Sequence, residues 1–138
     1  MNRLVVFVAA AGLLAASASR AQDVKELRAI GQGRALYLMY CASCHGTDAR
    51  GALTGTNHLS TPDLTAIGAR DGRFVPAHVS MHIDGRMDAG ATESDMPCWG
   101  AAFSARSTHR DEARAALKIW TLTKYVAFVQ QAEPVVVR

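Results

Sequence analysis

The chain has 138 residues, of which 49% are apolar and 20% are charged, and its formal net charge is +3. This length and composition predict a single globular domain and exclude a disordered chain. The sequence has no basic stripe that could neutralise phosphates, so we expect no nucleic-acid partner.

The N-terminus has the pattern of a secretory signal. Arg3 gives a positive start, residues 4–16 carry no charge, and small residues precede two candidate cleavage points, after Ala21 and after Ala18. We therefore predict that residues 1–21 are a cleaved signal peptide. The uncharged run is shorter than the roughly 20 apolar residues of a spanning helix, so an uncleaved membrane anchor is the less favoured alternative.

Residues 22–138 are predicted to form the mature domain. Cleavage removes Arg3 and Arg20 and lowers the formal charge from +3 to +1. We expect the exported protein in the periplasm, and we expect an association with the membrane only if the signal is retained.

A first helix is predicted to begin near Val24, with Asp23 as its cap, because apolar residues recur at helical spacing from Val24 to Ile30. Gly31 and Gly33 would each cost about 1 kcal/mol inside a helix relative to alanine. Two interpretations remain open. Either the glycines allow another backbone to approach closely, or the helix begins only after Gly33.

The cysteines are Cys41, Cys44 and Cys98, an odd number that argues against a simple disulfide framework. Two of them belong to the sequence Cys-Ala-Ser-Cys-His at residues 41–45, which is the C-x-x-C-H haem-attachment signature. The two thiols add to the two vinyl groups along one edge of the porphyrin, and His45 then falls beneath the iron. The motif predicts one covalent haem c with His45 as an iron ligand.

Two other uses of the cysteine pair fit less well. A thioredoxin-like redox pair requires a preceding strand and a β-α-β context, and the sequence indicates neither. A zinc site requires a second pair of ligands at metal-binding spacing, which Cys98 and a distant histidine do not supply. The secretory signal agrees with haem attachment, because haem c is attached outside the cytoplasm in bacteria.

The middle of the chain is rich in turn-forming residues. Glycine, proline and small polar residues dominate residues 46–76, which predicts a loop with at most short helical turns. A short helix is predicted over residues 76–84, with Pro76 in its first turn. A second loop is predicted from Asp84 to Gly100.

A long amphipathic helix is predicted from Asp111 to about Gln130, with Pro134 beyond its end. Its apolar residues recur at i, i+3, i+4 and i+7, which indicates a wide apolar face. Asp111 and Glu112 suit the positive N-terminal end of its dipole. Two series form this predicted face: Ala113, Ala116, Leu117 and Trp120, and Ile119, Leu122, Val126 and Val129.

The order and spacing of these motifs resemble the class I monohaem cytochromes c over nearly the whole mature chain. The resemblance implies an all-α cytochrome c fold, in which the N- and C-terminal helices cross and short helices and long loops surround one haem c. The stretch Ile83–Gly100 also resembles a subgroup common among exported bacterial cytochromes. The matching segments are Gly33–Cys41, Cys41–Gly46, Pro62–Leu64, Met96–Gly100 and Ile119–Val126.

The resemblance also implies the second axial ligand of the iron. Met96 stands before a proline, as the distal ligand does in this family, and a loop would let its sulfur reach the iron. Ligation by histidine and methionine raises the reduction potential relative to two histidines. Met81, Met87 and the other histidines remain as alternatives.

Further roles around the haem follow from the same resemblance. The carbonyl of Pro62 is expected to accept the second ring proton of His45, since ligating histidines usually donate that proton to a carbonyl or carboxylate. Arg86 and Trp99 are expected beside the haem propionates. Cys98 is expected to be a small buried residue near the haem. The remaining histidines are interpreted as surface or packing residues: His58, His78, His82 and His109.

The expected function is electron transfer rather than catalysis. With His45 and Met96 both bound to iron, no position is open for a small-molecule substrate. The expected partners are redox proteins in transient contact, namely a dehydrogenase or quinol-oxidising complex and a terminal oxidase or reductase. The resemblance places the electron exit at the haem edge held by Cys41 and Cys44. The alternatives are a haem enzyme or gas-binding sensor with an open distal site, and a fixed cytochrome subunit of a larger dehydrogenase or oxidase complex.

Overall fold

The fold is all-α in the part of the chain that the computed structural model describes, which comprises residues 2–51, 61–86, 96–105 and 108–130. Side chains are described at Arg20 and from Gln22 onward in these ranges, and none of the described residues forms a strand. The predicted fold class is therefore confirmed. In chain order the elements are α1 (Asn2–Tyr40), α2 (Ala42–His45), a 3-10 turn (Leu64–Ala66), α3 (Ile67–Arg70), α4 (Pro76–Asp84), α5 (Trp99–Phe103) and α6 (His109–Val129).

Helix α1 is longer than the sequence predicted. It runs from Asn2 to Tyr40, so Asp23 lies inside the helix and does not cap it. The predicted start near Val24 is wrong for the full chain, and so is the alternative start after Gly33. Alanine and leucine, both strong helix formers, are frequent upstream of Asp23 and favour continuation of the helix. No helix within the described ranges has the length and hydropathy needed to cross a membrane.

Helices α1 and α6 cross at Gly33. A Cβ atom at this position would collide with the carbonyl oxygen of Thr121 and would lie 2.9 Å from the Cβ atom of Tyr125. Gly31 has no such role, since a Cβ atom there would have nothing within 4 Å. One turn further along α1, the rings of Tyr37 and Tyr125 pack with their centroids 5.1 Å apart. The crossing of the first and last helices is thus confirmed.

Helix α6 begins at His109 rather than Asp111, because the hydroxyl of Thr108 caps it by accepting a hydrogen bond from the amide of Asp111 at 3.1 Å. Helices α1, α4 and α5 cover only one side of α6, so only one of the two predicted apolar series is buried. The buried residues of that series are Ile119, Leu122, Val126 and Val129. The predicted apolar face is therefore wider than its buried part, and the residues of the other series are exposed: Ala113, Ala116, Leu117 and Trp120.

The buried core lies where α1, α4 and α6 meet. Helix α4 has the predicted bounds, Pro76–Asp84, and it is capped at its C-terminus by Gly85, whose φ of 69° is in the left-handed region. Half-buried residues of the later segments, including Met96, pack against this core. The buried members are Tyr37, Ala49, Ile83, Ile119, Leu122, Tyr125 and Val129.

The two predicted loops contain short helices in the described residues. The described parts of residues 46–76 hold only the 3-10 turn and α3, as expected. Helix α5 begins at Trp99 and was not predicted. Gln130, at the end of α6, holds the first loop through two hydrogen bonds. Its Oε1 atom accepts a hydrogen bond from the backbone amide of Gly68 at 3.0 Å, and its Nε2 atom donates one to the carbonyl of Leu64.

Candidate haem-binding site

The motif at residues 41–45 forms one helical turn at the end of α1. The amide of Cys41 donates to the carbonyl of Tyr37 at 2.8 Å, so α1 leads directly into the motif. The carbonyl of Cys41 accepts from the amides of Cys44 and His45, at 3.1 and 2.9 Å. Both thiols and the imidazole are therefore carried by one short, hydrogen-bonded stretch of backbone.

Tyr37 holds the end of this turn. Its hydroxyl donates a 2.6 Å hydrogen bond to the carbonyl of Gly46. Burial raises the pKa of Tyr37, so the phenol stays protonated and remains a donor. Gly46 has a φ of 77°, which favours glycine and turns the chain away from α2. The carbonyl of His45 then accepts from the amide of Gly51 at 2.9 Å.

The segment that contains Pro62 lies directly against the motif. The hydroxyl of Thr61 donates to the carbonyl of Cys44 at 2.7 Å. A Cβ atom at Gly51, whose φ is 85°, would collide with the carbonyl oxygen of Thr61. Glycine at this position thus lets the two backbones approach, and the approach brings Pro62 beside His45.

His45 is 8% exposed, and its Nδ1 atom lies 3.4 Å from the carbonyl oxygen of Pro62. A carbonyl only accepts hydrogen bonds, so this contact places the proton on Nδ1 and leaves the lone pair on Nε2. Burial lowers the pKa of His45, while the hydrogen bond to Pro62 opposes that shift in part. The side chain is therefore a neutral imidazole whose Nε2 atom is suited to bind a metal.

The donor set of the turn fits haem c. Cys41 is half-buried and Cys44 is exposed, and both are free thiols. Burial raises the pKa of the Cys41 thiol to about 11, and the neighbouring Cys44 adds to the shift. Two thiols and a neutral imidazole on one helical turn are the groups that covalent attachment and axial ligation of haem require. Within the described ranges, no group of three or more His, Cys, Asp and Glu side chains could hold a metal ion.

The methionines lie in different surroundings. Met96 is half-buried and packs against the core cluster that includes Tyr37 and Leu122. Met81 is 52% exposed and lines a surface groove between α4 and α6. Met87 lies outside the described residues. Met96 is thus the more buried of Met81 and Met96, and ligation of the iron by Met96 stays a prediction.

Arg86 and Trp99 each contact other side chains of the protein. The guanidinium of Arg86 pairs with the carboxylates of Asp84 and Glu112, at N–O distances of 2.7 Å in each pair. The ring of Trp99 lies 5.3 Å from that of Tyr40, which directly precedes the haem motif. The expected contacts of Arg86 and Trp99 with the propionates stay predictions.

Cys98 differs from the expectation. It is exposed rather than buried, and its thiol donates to the carbonyl of Asp84 at 3.2 Å. Its backbone packs against the turn that follows α4, where a Cβ atom at Gly85 would lie 3.1 Å from the Cα atom of Cys98. Cys98 therefore lies on the surface of the end of α4. His78, His82 and His109 are exposed. His58 lies outside the described residues.

The sequence did not indicate several residues that shape this site. Thr61 and Gln130 act through side-chain hydrogen bonds to backbone groups far away in the sequence, which no local pattern reveals. Asp84 gave a weak signal, because an aspartate at a helix end two residues before Arg86 suits a local ion pair. Glu112 was interpreted only as a favourable charge at the N-terminus of α6.

Comparison with known proteins agrees with this geometry. The family described as cytochrome c oxidase, cbb3-type, subunit III matches residues 28–117, which is more than half of the chain. The match includes the motif at residues 41–45 and the segments of Pro62 and Met96. Searches among curated proteins and among solved structures found no match. The chain thus belongs to the cbb3-type cytochrome c family of class I monohaem c-type cytochromes, and it is an electron-transfer protein with covalently bound haem c.

Proposed function

We propose that the protein carries single electrons in the periplasm, with His45 and Met96 as the two axial ligands of its haem iron. The observation that carries the proposal is the buried His45, which shares one helical turn with Cys41 and Cys44 and contacts the carbonyl of Pro62. When bound, the haem supplies an iron that changes oxidation state by one electron.

The residues of the chain fix the surroundings of that iron. The Pro62 carbonyl orients the imidazole of His45, and Tyr37 holds the turn that carries it. Met96 is half-buried and packs against the apolar core. A site closed on both faces would leave no position for a substrate, which supports a carrier rather than an enzyme.

The proposed location rests on the N-terminal sequence. Residues 1–21 have the charge pattern of a cleaved signal, and haem c is attached outside the cytoplasm in bacteria. We expect the purified protein to come from the periplasmic fraction and to begin at Gln22. Mass measurement of the mature chain tests this, and a haem-loaded protein that retains residues 1–21 would contradict it.

We propose redox proteins as partners, with a dehydrogenase or quinol-oxidising complex as donor and a terminal oxidase or reductase as acceptor. The matching family is described as an oxidase subunit, and this favours a second candidate, a fixed subunit of an oxidase-type complex. Purification at low and at high salt separates the two. A transient electrostatic partner dissociates at high salt, whereas a fixed subunit remains bound.

Visible spectra of the oxidised and reduced protein test the axial ligands. We expect the weak ferric band of iron–sulfur bonding at the red end of the spectrum in the wild type and its loss in Met96→Ala. The variant should keep its haem, bind carbon monoxide in the ferrous state and have a lower reduction potential. Met81→Ala is the matched control and should behave as the wild type.

The opposite results would contradict the assignment. An unchanged potential with no carbon monoxide binding in Met96→Ala would exclude Met96 as the ligand. A wild type without the band, with high-spin features in both oxidation states, would favour a haem enzyme or gas sensor with an open distal site.

A further inference from the structure

Three charged side chains form a compact cluster between the end of α4 and the start of α6. We name Asp84, Arg86 and Glu112 the Arg86 cluster. The guanidinium of Arg86 makes a two-pronged contact with Asp84, through Nε to Oδ1 at 2.7 Å and Nη2 to Oδ2 at 2.9 Å. Its Nη1 atom donates to Oε2 of Glu112 at 2.7 Å. Only a forked guanidinium can join both carboxylates in this way.

The segment that carries Met96 lies on this cluster. A Cβ atom at Gly100 would lie 2.6 Å from Nε of Arg86 and 2.7 Å from Cγ of Asp84. The thiol of Cys98 donates to the backbone carbonyl of Asp84 at 3.2 Å. A Cβ atom at Gly85 would also lie 3.1 Å from the Cα atom of Cys98. Residues 98 and 100 therefore contact the turn that contains Arg86.

The same segment is also anchored to the core. The carbonyl of Gly100 accepts from the buried hydroxyl of Ser104 at 2.7 Å, within the turn that follows α5. Met96 itself packs against the apolar cluster between α1 and α6. Two contacts thus fix the position of Met96, namely the apolar core at one end of the segment and the Arg86 cluster at the other.

We propose that Arg86 is a positioning residue for Met96: by tying Asp84 to Glu112 beneath Gly100, it holds the segment 96–100 in the arrangement that keeps the thioether at the iron. This inference rests on the proposed ligation by Met96. It differs from the role expected from the resemblance, in which Arg86 interacts with the propionates.

Displacement of Met96 by an added ligand measures this positioning. Imidazole can bind the ferric iron only in molecules whose thioether has left, so its apparent affinity is proportional to the fraction of such molecules. We expect Arg86→Gln to raise the apparent affinity for imidazole about tenfold, because the segment 96–100 loses its support. Titration of the iron–sulfur band of the haem-loaded protein with imidazole gives the value.

Two further variants make the test specific. Glu112→Gln leaves the pair of Arg86 and Asp84 in place and should raise the apparent affinity by about threefold. Arg114→Gln removes a comparable guanidinium from α6, one that pairs with Asp111 at 3.7 Å and whose side chain is 66% exposed. This matched control should stay within about twofold of the wild type. If Arg86→Gln does not yield haem-loaded protein, Glu112→Gln alone decides the question.

A purely structural role gives a different result. If the cluster only stabilises the fold, Arg86→Gln and Glu112→Gln lower the unfolding midpoint and leave the imidazole affinity at the wild-type value, which would overturn the proposal. Failure of the ligand assignment is separate, because the iron–sulfur band would then be absent from the wild type or would persist in Met96→Ala.

Discussion

The Cα atom of Gly33 lies so close to Thr121 that a side chain on Gly33 would collide with the Thr121 carbonyl oxygen. This contact sets the distance between α1 and α6 at their crossing. It also sets the approach of Tyr37 to Tyr125, whose rings are 5.1 Å apart. Because Tyr37 in turn holds the end of the haem motif, the helix crossing and the haem site are parts of one packed arrangement.

Gly33→Ala should destabilise the protein. The added methyl group would lie 2.8 Å from the carbonyl carbon of Thr121 and 2.9 Å from Cβ of Tyr125, so the backbones must move apart. We expect a loss of about 1–3 kcal/mol in the free energy of unfolding, measured by urea denaturation. Gly31→Ala is the control, since its Cβ atom meets nothing within 4 Å and alanine favours the helix. Equal stability of the two variants would contradict the close approach.

Tyr37→Phe should weaken the turn that carries the haem ligands. The variant keeps the ring but removes the donor that the Gly46 carbonyl accepts at 2.6 Å. The free energy of unfolding should fall by about 1–2 kcal/mol, because a part-buried carbonyl loses its hydrogen bond. Tyr40→Phe serves as the comparison, since the ring of Tyr40 keeps its packing on Trp99. A larger loss in Tyr40→Phe than in Tyr37→Phe would be evidence against this role.

Cys44→Ser should leave the haem held by a single thioether through Cys41. We expect a lower yield of haem-loaded protein and an altered spectrum of the denatured haem in alkaline pyridine, which reports the number of vinyl groups that have reacted. Cys98→Ser is the matched control, because Cys98 is exposed at the end of α4 and not in the motif. Full haem content and an unchanged pyridine spectrum in Cys44→Ser would refute the assignment of attachment residues.

Acid should destabilise the protein in part through the Arg86 cluster. Hydrogen bonds from Arg86 lower the pKa of Asp84 and of Glu112 in the folded state. The folded protein then binds fewer protons than the unfolded chain, so this stabilisation is complete above the ordinary carboxyl pKa of about 4 and is lost as the pH falls through the lowered values. The effect is small and weakens with salt, because these side chains are partly exposed.

Glu112→Gln tests this pH dependence. Its free energy of unfolding should decline less steeply than that of the wild type between about pH 5 and pH 2, since one titrating carboxyl has been removed. Urea denaturation of the haem-loaded proteins at several pH values gives the two slopes. Identical slopes would show that Glu112 has no part in acid destabilisation.

Local patterns predicted the helical class, the bounds of α4 and the haem motif, because each depends on neighbouring residues. The same reasoning failed for features that depend on more distant parts of the structure, namely which residues of α6 are buried and where α6 begins. Trp120 and Leu117 recur at helical spacing like the core residues of α6, yet both are exposed, and Trp120 lines the open groove between α4 and α6. The cap of α6 at Thr108 was missed because the acidic residues Asp111 and Glu112 indicated a helix that begins at Asp111.

The sequence by itself determined the cofactor, since two thiols and an imidazole fall on one turn wherever the C-x-x-C-H spacing forms a helix. Only the tertiary structure decided which groups surround that turn. The contact between Pro62 and His45, the burial of Met96 and the joining of Asp84 to Glu112 by Arg86 bring together residues distant in the chain. Such contacts depend on how α1, α4 and α6 pack, and packing is set by the shapes of all the buried residues together.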